Sequence, residues 1–125
     1  MRELSGFVAA DIDEIAGVLT FAIEHKTCEI VTIDAHIRGR GVDSALLDAV
    51  KTLATQRSCT LITLFTTNDN LRAQRFVERH GFRIVTFYSD AMDAVRLVKP
   101  EVPATGDYGI PLRDMIHFGL HLAQP

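Results

Sequence analysis

The sequence predicts one α/β (α+β) domain of 125 residues: a mixed sheet with helices crossing between its strands. Three observations carry that expectation. The first thirty-five residues are short β-rich runs divided by polar turns, a glycine-rich turn then gives way to helical spacing, and from Ser58 onward strand and helix patterns alternate. The length suits a single compact unit spanning 1–125.

Taken in order, Gly6 to Ala10 is a short apolar strand and Asp11 to Glu14 a turn. Ile15 to Glu24 is the second strand, His25-Lys26 the next break, and Cys28 to Ala35 a compact β-branched strand, so these three form an antiparallel meander. Arg38-Gly39-Arg40-Gly41 interrupts the strand signal, after which Val42, Leu46, Ala49 or Val50, and Leu53 fall at helical spacing. Ser58 to Thr66 reads as a strand, and Thr67 to Asn70 as a turn with capping residues. In the helix that follows, Ala73, Phe76, Val77 and His80 share one face, and Gly81 ends it. Arg83 to Tyr88 is a strand and Asp90 to Val98 a short helix. Beyond a tail rich in Pro and Gly, Met115 to Leu122 is a closing strand.

Composition narrows function by exclusion. Thirteen Lys and Arg against sixteen Asp and Glu give a net charge of −3 with no basic stripe, so polynucleotide is not an expected partner. No apolar stretch approaches the roughly 20 residues that cross a bilayer, so no membrane partner is expected; with no secretory leader visible behind Met1, the expected compartment is the cytoplasm. Cys28 and Cys59 sit in apolar runs and fit no ligand pair, as free structural thiols do. His117 and His121 stand at i, i+4 without a third ligand, and no metal is expected.

The segment from Thr32 to Leu47 runs strand, glycine-rich turn, helix. Backbone N–H groups at a helix start, approached closely through glycines and flanked by Arg38 and Arg40, make an anion site suited to a pyrophosphate; the same two glycines also serve a plain tight turn. It is neither a Walker loop nor a complete dinucleotide fingerprint.

Together with a second cassette, the segment resembles the GNAT superfamily of acyl-CoA N-acyltransferases. Arg38-Gly39-Arg40-Gly41-Val42-Asp43 corresponds to the (R/Q)xxGx(G/A) loop of that superfamily, and Asn70, Ala73, Phe76, Gly81 and Phe82 to its N…A…(Y/F)xxxGF helix. Lys99 to Asp114 (KPEVPATGDYGIPLRD) is similar to an ending of one bacterial branch, so the resemblance runs from about Phe7 to Leu122. It implies a GNAT-like fold, acetyl-CoA as cofactor, and direct acetyl transfer to a primary amine on a small molecule or peptide. It further implies a cleft between the strands Cys28 to Ala35 and Ser58 to Thr66, with backbone groups around Ile33 holding the pantetheine. The loop Arg38, Gly39, Arg40, Gly41, Val42, Asp43, Ser44 would hold the pyrophosphate, with Asn70 near the thioester and Phe76 on the cofactor helix. Glu29, on the face shared by Val31 and Ile33, is the candidate general base, with Asp34 and His36 as alternatives. Asp107 and Asp114 resemble acceptor-site positions but receive no role.

The chain departs from the family pattern in three places. Asp43 stands where the loop wants Gly or Ala, Val77 where many members place a Tyr that protonates the leaving thiolate, and the usual first strand and helices do not precede Gly6. The missing wall and the apolar first strand lead us to expect a homodimer. The alternative function is a non-catalytic, dimeric binding or sensing module with a weakened or lost CoA site.

Overall fold

The computed structural model describes residues 3–11, 14–35 and 41–123. Among the described residues, six strands and three α-helices follow one another as β1 (Ser5–Asp11), β2 (Glu14–Glu24), β3 (Thr27–Ala35), α1 (Val42–Gln56), β4 (Leu61–Thr67), α2 (Leu71–Arg79), β5 (Arg83–Tyr88), α3 (Ala91–Val98) and β6 (Met115–His121). The strand order is β1-β2-β3-β4-β6-β5, a mixed sheet as the sequence predicts. The closing strand therefore inserts between β4 and β5. The chain divides into two compact units, residues 1–63 with 121–125, and residues 64–120.

In the first unit, β1, β2 and β3 form the antiparallel meander. His25 and Lys26 both adopt positive φ (49° and 64°), the geometry of a two-residue hairpin turn whose twist suits the flanking strands. Val31 is the extra residue of a β-bulge, because Thr20 pairs with Thr32 and the next pair is Phe21 with Ile30. α1 packs on all three strands through Leu46, Leu47, Val50 and Ala54. The inward face thus ends on Ala54, with Ala49 and Leu53 half-buried at its margin. Each fully buried aliphatic side chain here, such as Val50, contributes about 1.5–3 kcal/mol by leaving water.

Gly17 sets how closely α1 approaches. A Cβ there would stand 2.7 Å from Val42 Cγ1 and 2.9 Å from the Asp34 carbonyl oxygen, so any side chain would push the first turn of the helix off the sheet. After α1 the chain does not extend at Ser58. Ser58 has φ 60°, Arg57 and Cys59 donate back to Leu53 and Ala54, and the Thr60 N–H donates to the Lys26 carbonyl, so β4 begins only at Leu61.

The second unit has its own core of Leu64, Val77, Phe82, Met92, Ile116 and Phe118. α2 starts on the Asn70 side chain, which accepts from the Ala73 N–H at 3.1 Å. It stops as the sequence predicts: Gly81 takes φ 93° and Phe82 N–H donates to the Val77 carbonyl at 3.0 Å. β5 pairs antiparallel with β6, and α3 follows it from an Asp90 N-cap.

Candidate functional site

β3 carries the candidate base. Glu29 lies opposite Ala22 on β2 and level with Thr63 on β4, in a parallel register of Thr27↔Leu61, Cys28↔Ile62 and Glu29↔Thr63. A pocket of about 280 Å³ opens there, lined by Ala22, Glu24, His25, Thr27, Glu29 and Thr63. The Glu29 side chain is half-buried in that lining, positioned to meet a solute from solvent. The bulge at Val31 changes the expected face. Ile33 lies opposite the fully buried Leu19, whereas Glu29 lies opposite Ala22, three positions further along β2, so Glu29 and Ile33 point to opposite sides of the sheet. Glu29 shares its side with Thr32 instead, whose hydroxyl lies 2.6 Å from that of Thr20.

Beyond Glu29, β3 runs on to Ala35, with β2 paired along it as far as Gly17↔Ala35. The start of α1 follows a gap, because His36, Arg38, Gly39 and Arg40 lie outside the described residues. Gly41, Val42, Asp43 and Ser44 are described. Gly41 is the N-cap of α1 in the left-handed region (φ 71°, ψ 18°), and its carbonyl accepts from Ala45 N–H at 2.9 Å. Among the described residues, no side chain caps this helix start and a Cβ at Gly41 would meet nothing within 4 Å. Asp43, half-buried, is the first-turn acid of α1, a favourable place for a carboxylate beside the helix dipole.

Two further candidates belong to the second unit. Asn70 spends its carbonyl oxygen on the helix cap, leaving its amide as the group available to a ligand. Phe76 is half-buried, with its ring centroid 4.8 Å from that of His80. Val77 is 3% exposed, part of the core and without a proton to give.

Residues that the sequence reading left without a role hold the segment after α3. Asn68 donates from Nδ2 to the Pro111 carbonyl at 2.8 Å and accepts on Oδ1 from the N–H groups of Arg113 and Asp114. Asp69, 7% exposed, accepts from the Thr67 hydroxyl and the Asp107 N–H, and a Cβ on Gly106 would sit 2.1 Å from its Oδ2. Burial raises the Asp69 carboxyl, but the bonds from Thr67, the Asp107 N–H and its own N–H outweigh that and leave it below the ordinary carboxylate value. Asp114, 2% exposed, accepts from the Asp90 N–H at 2.8 Å and thereby fixes the start of α3. Asp107 contributes its backbone to this network and keeps an exposed side chain. The sequence signal was the run Thr67-Asn68-Asp69-Asn70 itself, four residues of which only one is needed as a cap.

Neither cysteine is in a disulfide, and both are buried. Burial, reinforced by Cys59, pushes the Cys28 thiol up to about 12, and burial raises Cys59 against the opposing pull of Arg57, so neither supplies a thiolate. No described helix is long and apolar enough to cross a membrane.

The chain matches the Acetyltransferase (GNAT) family over residues 1–82. It is 38% identical over 117 residues to the uncharacterized protein YdhI of Bacillus subtilis, an alignment covering 93% of this chain and 73% of the relative. The IAA acetyltransferase of Bacillus cereus superposes with a TM-score of 0.79 at 25% identity, covering 92% of this chain and 75% of that one. A Bacillus subtilis acetyltransferase in complex with CoA gives 0.77 at 27% identity, covering 93% and 75%.

Proposed function

Because the chain belongs to the acetyltransferase (GNAT) family, we propose that it moves an acetyl group from acetyl-CoA to a primary amine, on a small molecule or a peptide, by direct transfer. The observation that carries this reading is the placement of Glu29, a half-buried carboxylate in the lining of an open pocket on β3. CoA-bound relatives of the same fold support the cofactor assignment.

The described residues fit such a cofactor at the start of α1. The N-terminus of α1, entered through a left-handed Gly41 and without a side-chain cap among the described residues, offers N–H groups to a diphosphate. In this reading Gly41, Val42, Asp43 and Ser44 hold the pyrophosphate together with Arg38, Gly39 and Arg40. The backbone around Ile33 holds the pantetheine. Bound acetyl-CoA supplies an acetyl thioester whose C–S bond breaks as the new C–N bond forms.

Glu29 takes the proton that the acceptor ammonium must lose before its lone pair attacks. Val77 has no proton to donate to the thiol that the cofactor would release, so that proton would come from water. The chain works as one GNAT-like domain, in the cytoplasm, as a homodimer. Exposed Leu4, just before β1, and Val8 on β1 support the dimer, being apolar side chains that a second copy would cover.

A panel of primary amines incubated with acetyl-CoA, read by release of free thiol, tests the reading. Thiol release that depends on an amine and falls with Glu29→Gln supports it, and absence of release across the panel removes it. One observation favours a second reading, a non-catalytic module that keeps the fold: a buried valine occupies the position where a thiolate acid stands in many relatives. Acetyl-CoA binding without thiol release would select that reading.

A further inference from the structure

α2 carries a second charged feature. Arg72, Arg75 and Arg79 fall at i, i+3 and i+7, which places all three along one side of the helix over about 10 Å. All are exposed, and none has an ion pair among the described residues. Glu78 is the one carboxylate in the helix sequence, so its side chains sum to +2. The three arginines, with Leu71 and Tyr108, line a pocket of about 380 Å³.

Tyr108 comes from a different part of the chain. It is held at φ 59°, a conformation that costs a non-glycine residue of order 1 kcal/mol and persists where its surroundings impose it. Those surroundings are the Asp107 N–H bond to buried Asp69, the Gly106 N–H bond to the Ile110 carbonyl and the Ile110 N–H bond to Asp107. The constrained turn leaves a large aromatic ring 77% exposed at the rim of an arginine-lined pocket.

We propose that this pocket binds a small anion bearing two or more negative charges, of the phosphate-ester or diphosphate class. Guanidinium groups bind such oxygens through paired N–H bonds, and the Tyr108 hydroxyl adds a further donor. The site lies wholly within the second unit and goes beyond the acetyl-transfer reading, since it is assigned no part in acyl transfer.

The test is calorimetric titration of the full chain with inorganic pyrophosphate at low ionic strength, with CoA already saturating so that the α1 loop is occupied. Wild type should bind pyrophosphate, with affinity falling as salt is added. Arg75→Glu with Arg79→Glu should weaken that binding at least about tenfold while leaving CoA affinity unchanged. Arg57→Glu, in the other unit, should leave both within about twofold. Should the double glutamate variant fail to fold, Arg75→Gln with Arg79→Gln removes the charge more gently and is expected to weaken binding in the same direction. Absence of pyrophosphate binding by wild type, or unchanged affinity in the double variant, overturns the proposal. So does a parallel loss of CoA affinity, which would assign the arginines to the cofactor. A chain that takes up no CoA at all defeats the acetyl-transfer reading and leaves this one to the arginine variants.

Discussion

Asn68 and Asp114 clasp each other across forty-six residues of sequence: the Asn68 N–H donates to the Asp114 carbonyl at 3.1 Å, and the Asp114 N–H donates to Asn68 Oδ1 at 2.9 Å. The same oxygen accepts from Arg113, and the Asp114 carboxylate in turn holds the Asp90 N–H. The two residues thereby tie the end of β4 to the start of α3 and the entry of β6. Asn68→Ala strands two backbone donors and one acceptor, and is expected to cost about 1–3 kcal/mol in a denaturant midpoint measurement. A loss below about 0.5 kcal/mol would show that water replaces the clasp.

Asp69 makes the acid limb of stability predictable in sign. Its folded carboxyl is held below the ordinary value, so its contribution is fully present above about 3.9 and is lost as pH falls through its folded value. Asp69→Asn should therefore melt lower than wild type at neutral pH, and the gap should shrink below about pH 4. A gap that stays constant down to pH 2 would contradict the role given to the ionised form.

The cysteines should be inert in the folded chain. With both thiols buried and the Cys28 thiol raised to about 12, alkylation by iodoacetamide at pH 8 should be slow until denaturant is added. Rapid native-state labelling of either thiol would contradict the packing of β3 against α1.

Glu29→Gln keeps the side chain's size while removing its ability to take a proton. We expect turnover to fall by about 10²–10⁴ with acetyl-CoA affinity unchanged. Loss of affinity together with turnover would instead give Glu29 a binding role.

The strands, the helices and the order of the GNAT motifs were legible because each rests on local periodicity or on turn residues: Leu46 and Val50 repeat at helical spacing, and Gly81 ends α2 where a left-handed residue was needed. The facing of Glu29 was not, because a bulge is one extra residue whose effect depends on the partner strand; Val31 looks the same in sequence whether it pairs or is skipped. Gly17 and Asn68 escaped notice for a related reason. Their importance lies in what stands opposite them, Val42 and the Asp34 carbonyl in one case and Asp114 in the other, and each partner is distant in sequence.

The central claim, that this chain binds acetyl-CoA at the start of α1, is tested most directly by calorimetric titration of wild type and Gly41→Glu with acetyl-CoA. Micromolar binding by wild type, abolished in Gly41→Glu, is the predicted result. Among the described residues a Cβ at Gly41 meets no neighbour, so the expected cost is that of a left-handed non-glycine residue, about 1–2 kcal/mol, and the variant should stay folded. Equal binding by the two proteins, or none by wild type up to millimolar acetyl-CoA, would contradict it.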